Sequence, residues 1–119
     1  MTAKDETALV KKMREAANAK YGDDIVIVKY HGSPYSEAGV SDLLICLYGM
    51  FGACEVKAPE SYPVKGQPSV EKAEQAETAH QRLFLDKVYE AGGFQTVCAS
   101  VEHFMEFLET VAEYYVERR

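Results

Sequence analysis

The stretch Gly39 to Pro59, GVSDLLICLYGMFGACEVKAP, constrains the fold more than any other part of the chain. Two apolar runs flank Tyr48-Gly49 and read as strands joined by a tight turn, Asp42 to Tyr48 and Met50 to Lys57. Side chains alternate along a strand, so Glu55 and Lys57 share one face. Their neighbours Phe51, Ala53, Cys54 and Val56 are apolar. A buried charge there costs several kcal/mol, roughly, unless it is paired or holds a metal. A two-residue loop at Tyr48-Gly49 would set Asp42 directly across from Glu55, with side chains roughly 5 Å apart. Two carboxylates that close repel unless a proton or a cation lies between them. A slip of one residue would send Asp42 to the other face, so the register decides what the pair can do.

Around this hairpin the chain alternates helix and strand signals. Asp5 to Tyr21 reads as a helix, with Leu9, Val10, Met13, Ala16 and Ala17 on one stripe. Glu6 falls on the same stripe and can look inward, or can serve as a first-turn acid favoured by the helix dipole. Glu15 falls opposite, as a solvated charge. Gly22-Asp23-Asp24 ends the helix, and Ile25 to Tyr30 is a β-branched strand. His31 to Glu37 is a loop by its Gly, Pro and Ser content. Lys29 and His31 at its mouth can face a phosphate or be incidental polar residues.

Glu60 to Thr78 holds two prolines, a glycine and scattered charge, and reads as a long loop that turns helical after Ser69. Lys65-Gly66 at its tip can touch a polyanion; an ordinary insert is an equal reading. Thr78-Ala79-His80-Gln81 has the capping-box form, and the helix it opens runs to about Ala91, stopping at Gly92-Gly93. Gln81 shares a stripe with Phe84, Leu85 and Val88, so it either caps the helix or looks toward the sheet. Phe94 to Ala99 is a fourth strand. Ser100 caps a last helix with Phe104, Phe107, Leu108, Val111 and Tyr115 on its buried side.

Composition excludes little and bounds much. A chain of 119 residues is read as one domain, residues 1–119, with a single core. No apolar run approaches the roughly 20 residues of a membrane span, and the N-terminus is too polar for a signal peptide. The expected compartment is therefore cytoplasmic. Three cysteines without zinc-ligand spacing read as buried free thiols. A net charge of −6 argues against a nonspecific nucleic-acid coat, though not against a nuclease, whose metal site itself gathers carboxylates.

The order of motifs is more specific than any one of them. An inward Glu6, then Gly39-Val40-Ser41-Asp42, then Glu55-Val56-Lys57-Ala58-Pro59, then Gln81 resembles the PD-(D/E)XK nuclease superfamily, and within it the virus-type replication-repair nuclease (VRR-NUC) domains of phages and bacteria. Ser41 stands where that family usually has Pro, and the segment from Lys57 to Gln81 is longer than in a compact member. The resemblance implies a restriction-endonuclease-like α/β fold: a central mixed four-stranded sheet flanked by helices, in an αβββαβ order with an added C-terminal helix. It implies Mg²⁺ or Mn²⁺ on Asp42, Glu55 and the backbone carbonyl of Val56, with Lys57, Gln81 and Glu6 completing the catalytic set. It also implies a homodimer cutting branched DNA such as four-way junctions, with Tyr114 and Tyr115 on the last helix as a dimer face or as core. Two other readings stay open: a non-catalytic, structure-specific DNA-binding module of this fold, and a small α/β protein-interaction domain.

Overall fold

A computed structural model describes residues 3–30, 39–57 and 79–118, with side chains in the first helix described from Thr7 onward. Helix α1 (Ala3–Tyr21) leads through a short 3-10 turn into β1 (Ile25–Lys29). The hairpin follows as β2 (Leu43–Leu47) and β3 (Met50–Val56). Then come α2 (Ala79–Glu90), β4 (Phe94–Cys98) and α3 (Val101–Arg118). The four strands form one open mixed sheet in the order β1-β2-β3-β4. The first two pairings are antiparallel and β3 with β4 is parallel, with α2 in the crossover between them. The expected mixed four-stranded sheet and its element order are therefore present.

The two faces of the sheet are covered unequally. Ile25, Ile27, Leu43, Ile45, Leu47, Cys54, Val56 and Cys98 pack against Val10, Met13 and Ala17 of α1 and Phe104, Leu108 and Val111 of α3. Those helical residues repeat at three and four positions, which is why both helices bury one stripe. Burying each large side chain stabilises the fold by roughly 1.5–3 kcal/mol. On the opposite face Ala53, Val97 and Ala99 pack against Leu85 and Val88 of α2. This helix lies over β3 and β4, and Val26, Val28 and Phe51 remain exposed.

The turn at Tyr48-Gly49 has the expected length. Leu47 pairs with Met50, and the ladder runs back to Leu43 facing Cys54. Both loop residues have positive φ, 52° at Tyr48 and 81° at Gly49, as the hairpin twist demands. Tyr48 accepts this backbone because its ring is held, stacked on Tyr115 with centroids 4.6 Å apart and edge-on to Tyr21. Tyr115 thus packs within the chain, while Tyr114 is exposed and meets Phe94 edge to face. Ser100 Oγ accepts a hydrogen bond from the His103 N–H at 3.1 Å and caps α3 as expected.

One expectation needs correction. Cys54 and Cys98 are buried free thiols, but Cys46 is an exposed one. Alternation explains this: Leu43, Ile45 and Leu47 take the face under α1 and α3, which turns Cys46 to the side that α2 does not reach.

Candidate functional site

The polar residues of the motif meet where β2 and β3 come to an end. The ladder register carries Asp42 to the position facing Glu55, one step beyond the last pair, Leu43 with Cys54. Asp42 Oδ2 accepts a hydrogen bond from the Val56 N–H at 2.8 Å. Its carboxylate thereby takes the place of a β2 carbonyl at the end of the ladder and fixes itself to the strand that carries Glu55. The N–H and C=O of one strand residue project to the same edge. The Val56 carbonyl therefore points to the side where Asp42 lies, past the last β2 residue.

Glu55 is 3% exposed, the one buried carboxylate among the described residues. Gln81 Nε2 donates to Glu55 Oε1 at 2.8 Å. The stripe that Gln81 shares with Leu85 and Val88 thus does look toward the sheet. Lys57 follows β3 directly and is half-buried, with its N–H donating to the Cys98 carbonyl at 2.8 Å.

What brings Gln81 to Glu55 is the glycine that opens the Gly-X-X-Asp motif. Gly39 has φ +82°, and a Cβ on it would stand 2.4 Å from the carbonyl oxygen of His80. Only a residue without a side chain lets this loop pass so near the first turn of α2. Gly39 thus seats α2, and Gln81 is the next residue along. Ser41, fully buried between Gly39 and Asp42, has a hydroxyl with no hydrogen-bond partner among the described residues.

A basic side chain that the motif did not assign to this place joins the site. Lys29 Nζ lies 3.2 Å from Asp42 Oδ1, with both side chains about three-quarters buried (26% and 21% exposed). Beneath the site, Cys54 Sγ lies 2.9 Å from Cys98 Sγ. Burial pushes the Cys54 thiol well above its ordinary range, and Cys98 and the negative charges of Glu55 and Asp42 push in the same direction. Both carboxylates therefore act on one buried sulfur.

The oxygens suit a hard divalent cation: two carboxylates and a backbone carbonyl at one strand end. Among the described residues no three His, Cys, Asp or Glu side chains gather into a metal-holding group. The third expected carboxylate, Glu6, has a side chain outside the described residues, as do His31 and Lys65. Of the expected set, the structure brings together Asp42, Glu55, Val56 and Gln81, and sets Lys29, expected to face a phosphate, in direct contact with Asp42. The alternating pattern of β1 gave no sign of that contact, because Lys29 follows Ile25 and Ile27 on the α1 face. Among the described residues no helix is long and apolar enough to cross a membrane. No protein-family model matches the chain, and no curated protein matches it.

Proposed function

We propose that this protein is a metal-dependent endodeoxyribonuclease of the PD-(D/E)XK type, similar to the VRR-NUC group, acting on branched DNA. One observation carries the reading. Two carboxylates, Asp42 and Glu55, are fixed at the same end of a hairpin, one by a backbone N–H of the opposite strand and the other by Gln81. Carboxylates at one strand end, beside a backbone carbonyl, are the oxygen donors that a hard divalent cation takes.

In this reading Asp42, Glu55 and the Val56 carbonyl would hold Mg²⁺ or Mn²⁺. The ion would supply an attacking water of lowered pKa and offset charge on the scissile phosphate. Lys57, two residues beyond Glu55 on the same strand face, orients that water and stabilises the charge that develops on the phosphate. Gln81 holds Glu55 in one rotamer, so its oxygen does not have to be found anew for each turnover. A homodimer fits a two-fold symmetric junction, since two symmetric cuts need two sites related by the same axis. Tyr114, exposed on α3, is an aromatic residue that such a face would use.

The test is incubation of the protein with a labelled four-way junction and with linear duplex, in Mg²⁺ and in EDTA. Junction cleavage that is lost in EDTA and in Asp42→Ala is the expected result. Binding without cutting would assign a non-catalytic DNA module, and neither binding nor cutting would leave a small interaction domain.

A further inference from the structure

We infer that the groove between α1 and β1 is the track for the phosphate backbone, and that Lys29 couples phosphate binding to metal binding. The inference rests on the nuclease reading and extends it to the surface beside the motif residues.

The groove, about 430 Å³, is lined by Lys11, Arg14, Asn18 and Lys29, with Glu15 the carboxylate among them. In a chain of net charge −6 this is a local excess of positive charge. Two of its cations are held in place rather than waving in solvent. Arg14 Nη2 donates to the Ile27 carbonyl at 3.3 Å, and Lys29 Nζ sits on Asp42 Oδ1 at 3.2 Å. Prearranged cations lose less freedom when an anion arrives. The groove also ends at the candidate site, because Lys29 belongs to both. A phosphodiester lying along Lys11 and Arg14 is thereby led to Asp42.

Lys29 and a divalent ion compete for the same carboxylate. In the metal-free protein the ammonium neutralises Asp42. A phosphate in the groove offers Lys29 a second anion and releases Asp42 to the metal. A metal on Asp42 repels the ammonium toward the groove. Each ligand therefore strengthens the other, as linkage requires.

Two titrations test this. Mn²⁺ is added to the protein alone and free ion is followed by electron paramagnetic resonance. A fluorescein-labelled duplex is added separately in EDTA and followed by anisotropy across a salt series. Lys29→Met should bind Mn²⁺ more tightly by about threefold, the effect of losing one partly buried ion-pair competitor, and should bind DNA more weakly. Lys11→Ala should leave Mn²⁺ affinity unchanged and lower the salt slope of DNA binding by about one. Lys29→Gln serves if Lys29→Met does not fold. Unchanged or weaker Mn²⁺ binding on loss of Lys29, or DNA binding indifferent to Lys11, overturns the inference. Those results in a protein that still binds Mn²⁺ and cuts DNA leave the nuclease reading standing. A parent protein that binds no Mn²⁺ removes both.

Discussion

Gly39→Ala puts the architecture of the site to a direct test. Its added Cβ would lie 2.4 Å from His80 O, 2.6 Å from His80 C and 2.9 Å from His80 Cβ, against 3.4 Å for ordinary contact. The nearest atoms are backbone, so no side chain can swing away. The loop or the first turn of α2 must give by about 1 Å, the shortfall from ordinary contact at the His80 oxygen. The φ of +82° adds a separate cost of roughly 1–2 kcal/mol for any L side chain. For a domain of this size that alone lowers the melting temperature by roughly 4–8 °C. The displacement acts on Gln81, which is covalently next to His80 and donates to Glu55 at 2.8 Å. A further 1 Å takes that contact beyond hydrogen-bonding range, and misplacement on that scale costs about 100-fold in rate. Gly22→Ala is the control, because Gly22 has φ +54° with nothing within 4 Å of the added Cβ. It carries the backbone cost without the collision. Thermal melts followed by circular dichroism, and junction cleavage in Mg²⁺, should show both variants destabilised but only Gly39→Ala impaired in cutting beyond its loss of folded protein. If Gly39→Ala melts like Gly22→Ala and cuts like the parent, the glycine does not seat α2.

Three other outcomes are expected. Glu55→Gln keeps an acceptor for Gln81 and removes a buried charge, so the metal-free protein should melt higher by about 4 °C, roughly 1 kcal/mol, while cleavage is lost; a marked fall in melting temperature would make Glu55 a structural residue. Ser41→Ala removes a buried hydroxyl that has no partner among the described residues, and calorimetry should find stability unchanged or raised by up to about 1 kcal/mol. A native thiol assay should titrate Cys46 at once and Cys54 and Cys98 only in denaturant. Because the folded pKa of Cys54 is raised, the unfolded chain loses its proton first. Stability should be intact below the ordinary value of 9.0 and fall as pH rises beyond it, with a shallower fall in Cys54→Ala.

Most of the fold is legible in the sequence because the signals that set it are local. β-Branched residues from Ile25, apolar runs about Tyr48-Gly49 and helical stripes about Met13, Leu85 and Phe104 each depend on neighbours within a few residues. Strand ends differ by a residue for a physical reason. Asp42 was read as the first residue of β2, but its side chain, not its backbone, meets Val56, so the ladder begins at Leu43. The misreading of Cys46 has a related cause. A run such as Leu43–Leu47 is apolar at every position, so composition cannot tell which face a helix will cover. That depends on where the crossover lays α2, over β3 and β4.

The contacts that assemble the site are of another kind. Lys29 and Asp42 are joined across the β1–β2 connection, Gly39 and His80 across a much longer span, and neither pair leaves a periodic trace. A glycine in a loop announces a permissive backbone, but not which distant chain comes near enough to need it. A lysine after a run of β-branched residues announces a strand end, but not that the neighbouring strand closes with an aspartate. Asp42 is the common member. It binds the backbone of one neighbour and the ammonium of another, and so ties β1 to β3 across the strand that lies between them. A residue with that pair of contacts cannot lose its charge without loosening Lys29, even if no metal ever binds. The structural role of Asp42 is therefore fused with the metal-holding role proposed for it, whereas Lys57 sits just past the ladder with its backbone N–H tied to β4.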